Sequence, residues 1–237
     1  MADKTTPLSS LRSPRSGGFT LIEIMVVIAI IALLAGILVV AIIPAISKSD
    51  KAKCEAVIRG LQANVDSWQT RWAVYPPGDA GRLGVLANSP TIAEQNRVNR
   101  GIEALVVALR ARVKGGPYLD NQLFMDDTVR TNYDGDTFAD DKLDLDGAQA
   151  FFELVDPWGT PYIYLDINDV RNGIVEDVIQ LQDGSTVELD PNKCAEMLHH
   201  PTTGSYPVGY VIWSFGPNKK NDYGRGDDIT SWPKYAD

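Results

Sequence analysis

The distribution of hydrophobic and polar residues divides the chain near residue 47. No residue from Ile24 to Ser47 is charged, and most positions hold Ile, Val, Leu or Ala. An apolar helix of about 20 residues is long enough to cross a bilayer. The pattern therefore predicts one membrane-spanning helix, followed by a polar and acidic domain on one side of the membrane.

An apolar stripe extends the predicted helix beyond this span. Apolar residues recur at alternating spacings of four and three, which mark one face of a helix. They are Cys54, Ile58, Leu61, Val65, Trp68, Trp72 and Tyr75. The residue before a proline disfavours helical geometry, so we expect the helix to end near Val74, ahead of Pro76. Pro44 lies inside the helix and is expected to kink it or to loosen one turn.

Shorter patterns predict the elements of the polar domain, which we call the head. Residues 78–90 are rich in Gly and Pro and are interpreted as a loop. A second helix is predicted from Thr91 to Lys114, with Pro90 in its first turn and a capping box between Thr91 and Glu94. Strands are predicted at Tyr162–Ile167, Val178–Leu181, Thr186–Leu189 and Val208–Phe215, with a hairpin turn at Asp183-Gly184. The predicted fold class is α+β.

Charge limits the partners and the orientation of the chain. The formal net charge of -9 argues against a nucleic-acid partner, which requires a basic face. Lys4, Arg12 and Arg15 precede the span, and positive flanks remain in the cytoplasm. The head is therefore expected outside the cytoplasm. A disulfide between Cys54 and Cys194 is permitted in an oxidising compartment, although the sequence does not establish that they are close.

Small residues precede the apolar run, which is the reverse of a secretory signal peptide. The segment Arg15-Ser16-Gly17-Gly18-Phe19-Thr20-Leu21-Ile22-Glu23 resembles the prepilin peptidase site of type IV pilins and type II secretion pseudopilins. The resemblance implies a leader at 1–18, a cut between Gly18 and Phe19, and methylation of the new Phe19 amine. It also implies a transmembrane and assembly helix at 19–46, a periplasmic head at 47–237, and single-pass anchoring in the inner membrane with a cytoplasmic N-terminus.

Glu23 is the one carboxylate at the start of the apolar helix. An unpaired carboxylate inside a bilayer is costly, and such residues are usually functional. In the pilin family the matching glutamate pairs with the terminal amine of a neighbouring subunit, which would set the register of a filament. The alternative is a signal anchor whose Glu23 lies at the level of the lipid headgroups.

The head resembles the major pseudopilin of the type II secretion system. The segments that carry this resemblance are Tyr75-Pro76-Pro77, Gly101-Ile102-Glu103-Ala104-Leu105-Val106, Asp156-Pro157-Trp158-Gly159-Thr160-Pro161-Tyr162 and Ser214-Phe215-Gly216-Pro217-Asn218. The resemblance implies a long N-terminal helix packed on a small antiparallel sheet, with a calcium loop near the C-terminus. The chain departs from the family by Asn218 in place of an aspartate, and by extra sequence at 79–98, 118–150 and 166–207.

Two acidic stretches are candidate cation sites. Calcium prefers six to eight oxygen ligands on a flexible loop, and the resemblance implies ligands among Ser214, Asn218, Asp222, Asp227 and Asp228. The alternative is an exposed turn in which Asp227 caps a helical turn. Residues 142–153 partly fit an EF-hand loop through Asp144, Asp146, Gly147 and Glu153, but Lys142 occupies the first position. We interpret that stretch as a solvated acidic loop.

The resemblance implies a structural filament subunit of a type II secretion pseudopilus. Its implied partners are further copies of the chain, prepilin peptidase, an inner-membrane assembly platform and minor pseudopilins. A type IV pilus subunit for adhesion or DNA uptake is the alternative. A membrane-tethered hydrolase is a third hypothesis, but the sequence has no G-x-S-x-G or H-E-x-x-H motif and only two histidines, His199 and His200.

Overall fold

A computed structural model describes residues 18–86, 95–119, 128–138, 145, 150–200, 202–206 and 209–233, excluding the side chains of 39–41 and 43. The first element is helix α1, Leu21–Trp72, which ends two residues before the predicted position and includes Pro44. The chain divides into two compact units, Met1–Ile46 and Ser47–Asp237. Each unit is described by itself below.

The first unit contains the apolar half of α1. The segment Leu21–Leu38 has a mean hydropathy of 3.0 and no buried residue. Within the described part of the chain, α1 is the one helix long and apolar enough to cross a membrane. The side chains of this segment point in every direction around the helix and are exposed, and Glu23 bonds only to Thr20 at the helix start among the described residues.

The second unit buries one face of the rest of α1. The predicted stripe is confirmed, because six of its seven members are buried. They are Cys54, Ile58, Leu61, Val65, Trp68 and Trp72. Trp68 stacks on Trp72 with ring centroids 4.4 Å apart. Tyr75 follows the end of the helix and is only partly buried.

Helix α3, Arg100–Arg110, belongs to the same hydrophobic core as this stripe, and its residues from Gly101 onward are buried. The predicted span of Thr91–Lys114 is wrong at both ends. Gln95 to Asn99 are not helical, and the chain leaves α3 for a 3₁₀ turn at Val113–Gly115. The proposed capping box at Thr91 and Glu94 lies outside the described residues.

Gly101 explains how α3 lies against the sheet. A Cβ atom at this position would be 2.0 Å from the backbone oxygen of Tyr164, so only glycine fits without displacing the strand. The Gly101 amide donates to Oδ2 of Asp177 at 3.1 Å, which satisfies one of the free N–H groups of the first turn. Glycine at the start of α3 therefore permits close helix–sheet packing.

The strands of the described ranges form three small antiparallel sheets. They are β1 Arg130–Thr131, β2 Glu153–Leu154, β3 Ile163–Asp166, β4 Val178–Gln180, β5 Thr186–Glu188, β6 Tyr210–Ser214 and β7 Ile229–Thr230. β1 pairs with β2, β4 with β5, and the central sheet has the order β3-β6-β7. The predicted strands and the hairpin at Asp183-Gly184 are confirmed in position, whereas β1, β2 and β7 were not predicted. The α+β class is confirmed.

Among the described residues, three short helices were not predicted. They are α2 Ala80–Leu86, α4 Ile167–Arg171 and α5 Pro191–Leu198. The interpretation of residues 78–90 as a loop is wrong for α2, because Ala80 and Leu83 are buried in the core and offset the low helix propensity of glycine. α5 begins with a strong local signal: the Asp190 side chain caps two amides, and Pro191 occupies the first turn.

The two faces of the central sheet separate the two cysteines. Side chains alternate along β3, so Tyr164 joins the core cluster that contains Cys54, while Ile163 and Leu165 join a second cluster that contains Cys194. Both thiols are free and buried. Burial raises the pKa of Cys54 to about 11 and that of Cys194 to about 12. The suggested disulfide is therefore wrong, because the sheet lies between its members.

Candidate assembly segment and cation loop

Thr20 and Glu23 form a capping box at the start of α1. Oε2 of Glu23 accepts hydrogen bonds from the Thr20 amide and from Thr20 Oγ1, both at 2.7 Å. The Glu23 amide donates back to Thr20 Oγ1 at 3.3 Å. Such reciprocal bonds satisfy amides that a helix start leaves free. Glu23 therefore has a local role within one chain, which the sequence analysis did not assign to it.

Gly18 and Phe19 precede this box and are exposed. A Cβ atom added at Gly18 would meet nothing within 4 Å. The structure thus places no demand for glycine at this position. A requirement for glycine at position 18 would therefore come from another molecule that binds this segment. Phe19, 85% exposed, is the first of the exposed apolar side chains of the first unit.

The Asp156 turn connects the central sheet to the C-terminal loop. One carboxylate oxygen of Asp156 accepts from the amides of Trp158 and Thr160, each at 2.9 Å. The other accepts from the Ser214 hydroxyl at 2.6 Å. Gly159 adopts a φ of 82°, which favours glycine. This motif therefore holds the turn before β3 to the end of β6.

The C-terminal loop gathers three predicted ligands. Carboxylate oxygens of Asp222, Asp227 and Asp228 all lie within 4.8 Å of one another. Asp228 is 2% exposed, and its Oδ2 accepts from the Gly224 amide at 2.8 Å. A Cβ atom at Gly226 would be 2.6 Å from Asp222 Oδ2, so this glycine allows the loop to close around the carboxylates. The donor set is the oxygen-rich kind that calcium prefers.

The other two predicted ligands are used differently. The Asn218 amide nitrogen donates to Asp222 Oδ2 at 2.9 Å and also to Asp227 Oδ1. Its side-chain oxygen accepts from the Lys220 amide at 2.6 Å. The Ser214 hydroxyl donates to Asp156 and accepts from the Gly216 amide at 2.9 Å. Neither side chain presents an oxygen to the three carboxylates.

A second acidic group was missed by the sequence analysis. Carboxylate oxygens of Glu103, Asp134 and Asp136 also lie within 4.8 Å of one another. Glu103 is wholly buried in α3, and burial raises its pKa to about 10. Burial and the neighbouring Asp134 raise the pKa of Asp136 as well. One available signal was an acidic residue within the apolar sequence Ile102-Glu103-Ala104-Leu105.

Glu153, the last position of the EF-hand-like stretch, lies beside this group. It is wholly buried in β2, and its Oε1 accepts from Asn99 Nδ2 at 2.7 Å. The interpretation as part of a solvated loop is therefore wrong for Glu153. Asp144, Asp146 and Gly147 lie outside the described residues.

The two histidines have structural contacts in their own loop. Nδ1 of His200 accepts from the amides of Thr202 and Thr203 at 3.2 and 3.1 Å. His199 packs edge-on against the ring of Tyr206. These contacts explain both side chains without a catalytic role.

Comparisons with known proteins agree with the N-terminal geometry. Residues 13–39 match the prokaryotic N-terminal methylation motif. This segment includes the start of α1 and its capping box. No solved structure gives a significant match.

The curated relatives share one description. The type II secretion system core protein G of Aeromonas hydrophila is 30% identical over 136 residues, which cover 56% of this chain and 94% of the relative. That of Dickeya chrysanthemi is 37% identical over 35% of this chain and 54% of the relative, and that of Vibrio cholerae is 34% identical over 35% and 57%. The chain thus spans little more than half of the last two relatives. The near-complete match to the first shows that the chain belongs to the type II secretion system core protein G family, the major pseudopilins.

Proposed function

We propose that the chain is the repeating structural subunit of a type II secretion pseudopilus and drives protein export by assembling through α1. The observation that carries this proposal is the first half of α1, an all-apolar and exposed helix that begins with the Gly18-to-Glu23 motif. A helix that is apolar on every side is stable only when lipid or other helices cover it. Lipid would cover this helix in the bilayer before assembly, and the helices of neighbouring subunits would cover it in the filament.

Maturation follows from the same segment. Prepilin peptidase would cut between Gly18 and Phe19, and the freed Phe19 amine would be methylated. The capping box survives this cut, because both of its residues lie after the cleaved bond. The mature chain would keep its N-terminus at the cytoplasmic side of the inner membrane and its head in the periplasm.

In a filament, the Glu23 carboxylate would accept a hydrogen bond from a second donor, on a neighbouring subunit. The hydrogen bonds from Thr20 both reach Oε2. Oε1 would take the Phe19 amine of a neighbouring subunit, and pairing would remove two charges from apolar surroundings at once. Intermolecular pairing and intramolecular capping are compatible, since they use different oxygens.

Calcium in the C-terminal loop forms the second part of this proposal. Asp222, Asp227 and Asp228 would hold the ion, because their oxygens already converge on one point. The ion would neutralise three like charges and fix the loop that follows β6. Asn218 places an amide nitrogen against two of these carboxylates, and its amide group would have to turn away or flip to contribute an oxygen.

Maturation is tested by mass spectrometry of the protein from its host. We expect an N-terminus at methylated Phe19, and an uncut precursor for Gly18→Leu, since leucine at this exposed position does not disturb the fold. Gly17→Ala is the matched control and should be processed. Deletion of the gene should leave secreted proteins in the periplasm while surface pili persist. Intact secretion together with lost pili would identify the chain as a pilus subunit instead.

The calcium loop is tested by thermal unfolding of the detergent-solubilised protein. Calcium should raise the melting temperature relative to a chelator by mass action. Asp222→Asn with Asp227→Asn should lose the part of this shift that the loop provides. The change at Asp222 keeps an oxygen for the Asn218 side-chain amide, whereas the change at Asp227 keeps one of the two oxygens that accept from Asn218. An unchanged shift in this variant would rule out calcium in the loop.

A further inference from the structure

The acidic group of Glu103, Asp134 and Asp136 suggests a ligand of its own. We propose that these three residues bind a divalent cation that prefers oxygen ligands, with calcium the best fit, at a site distinct from the C-terminal loop. The three residues come from α3 and from the segment between α3 and β2. None of them belongs to the ligand set implied by the family resemblance.

The spacing of the carboxylates fits calcium. Their oxygens lie within 4.8 Å of one another. Calcium–oxygen distances are about 2.3–2.6 Å, so ligand oxygens on opposite sides of the ion are about 4.6–5.2 Å apart. Magnesium demands a nearly ideal octahedron, whereas calcium tolerates the irregular geometry that carboxylates from two separate parts of the chain provide.

Unpaired buried oxygens provide independent support. Among the residues that the structure describes, Oε1 of the wholly buried Glu103 has no hydrogen-bond partner. The same holds for Oδ1 of Asp136 and for Oε2 of the adjacent, wholly buried Glu153. A buried polar atom without a partner costs about 1–3 kcal/mol, and more when it is charged. A cation among these side chains would supply the partner that the chain does not.

The existing contacts of Glu103 and Asp136 occupy their opposite oxygens, whereas Asp134 also accepts from the Asp136 amide through Oδ1 at 3.4 Å. Gln95 Nε2 donates to Glu103 Oε2 at 2.7 Å. Asn96 Nδ2 donates to Asp134 Oδ2 at 2.6 Å and to Asp136 Oδ2 at 3.1 Å. These amides orient the carboxylates but carry no charge. In the part of the chain described here, no lysine or arginine forms an ion pair with any of the three acids.

A bound cation would connect two parts of the head. Glu103 is fixed in α3, which is packed on the central sheet, whereas Asp134 and Asp136 belong to the 118–150 segment that extends beyond the family pattern. Asp134 and Asp136 are only partly buried, so an ion could reach the site from solvent. The cation would add an electrostatic link between this additional segment and α3, beside the apolar contact of Phe138 with Phe151.

Calcium binding to the full-length protein in detergent micelles tests the proposal. Titration calorimetry after removal of divalent ions should show one fewer calcium per chain for Asp134→Asn with Asp136→Asn than for the wild type. Glu176→Gln with Glu188→Gln is the matched control, since it removes the same charge from two exposed side chains. The control should bind as many calcium ions as the wild type.

The outcome does not depend on the C-terminal loop. Asp222→Asn with Asp227→Asn should leave calcium bound at Glu103, Asp134 and Asp136, and the four-residue variant should bind none at either site. An equal number of calcium ions for the wild type and Asp134→Asn with Asp136→Asn would overturn the proposal. Should that pair fail to fold, Asp136→Asn alone decides: a several-fold weaker affinity supports the site, and an unchanged binding isotherm refutes it.

Discussion

The two halves of helix α1 have opposite relations to their own chain. Every described side chain of the first half is exposed, including large residues such as Leu34, which is 59% exposed. The second half keeps one stripe fully buried, with Leu61 and Trp68 at 0% exposure. The second half of the helix therefore packs on the head of its own chain. The first half has an apolar surface that only lipid or other helices can cover. Sequence variation in the two halves should consequently affect different properties.

Substitution of Glu23 in the first half is expected to have the largest effect, which is the loss of filament assembly. Glu23→Ala removes both the cap and the charge, whereas Glu23→Gln keeps a capping-box side chain and removes only the charge. We expect both variants to insert in the membrane and both to lose filament assembly, because the neighbouring amine is left unpaired in an apolar bundle. Electron microscopy and shearing of assembled filaments provide the measurement.

The glutamine variant separates the two roles of Glu23. Normal filaments from Glu23→Gln together with defective ones from Glu23→Ala would mean that only the helix cap matters. Thr20→Ala serves as the converse control, since it removes the hydroxyl from the capping box and retains the carboxylate. Assembly by Thr20→Ala should exceed assembly by either Glu23 variant.

Two leucines of α1 give a matched pair for stability. Leu61→Ala leaves a cavity in the head and should lower the free energy of unfolding by about 2–5 kcal/mol. Leu34→Ala makes the same chemical change at an exposed site of the first half and should leave the head unaffected. Tryptophan fluorescence is a suitable probe, because all five tryptophans lie after residue 47. Equal destabilisation by both changes would show that the two halves do not differ as described.

A smaller effect is expected from pH and should be confined to the head, since residues 24–47 contain no charged side chain. Burial raises the pKa of Asp177 from 3.8 to about 7. The folded head retains this proton while the unfolded chain releases it, so stability falls as the pH rises between these values, by at most about 1.4 kcal/mol per pH unit. Asp177→Asn should flatten this part of the profile of unfolding free energy against pH.

The exposed Glu188→Gln is the control for Asp177, because a surface ion pair such as Arg97–Glu188 contributes little. Its profile should parallel that of the wild type. An Asp177→Asn profile as steep as the wild type between these pH values would assign the slope to other buried acids.

The sequence predicted the elements whose periodicity is strong and local. The stripe on α1 repeats over about five turns, and the strands around Ile163 and Ile212 combine aromatic and β-branched residues, so both were located within a few residues. The start of α3 was predicted too early. The residues just before it pair instead with Val178, which accepts from the Asn99 amide and donates to the Arg97 carbonyl, each at 2.9 Å, and this distant partner has no local signature.

The two candidate cation sites also show that local patterns do not predict contacts between residues distant in the sequence. The resemblance allowed Asp222, Asp227 and Asp228 to be predicted as one site, because they are close in the sequence. Glu103 meets Asp134 and Asp136 only through the fold, and α3 is buried on all sides rather than on the single predicted face. The orientation of Asn218 and the use of Ser214 by Asp156 likewise depend on neighbours that a motif does not specify.

The capping box between Thr20 and Glu23 also has a consequence for biosynthesis. Its members are three residues apart, so its hydrogen bonds can form as soon as this short stretch leaves the ribosome, before any part of the head exists. On insertion into a membrane, the carboxylate would already be engaged with donors from the start of its own helix. Thr20 thus satisfies part of the hydrogen-bonding capacity of Glu23, the charged residue of the apolar segment. This requires neither a folded head nor a neighbouring copy of the chain.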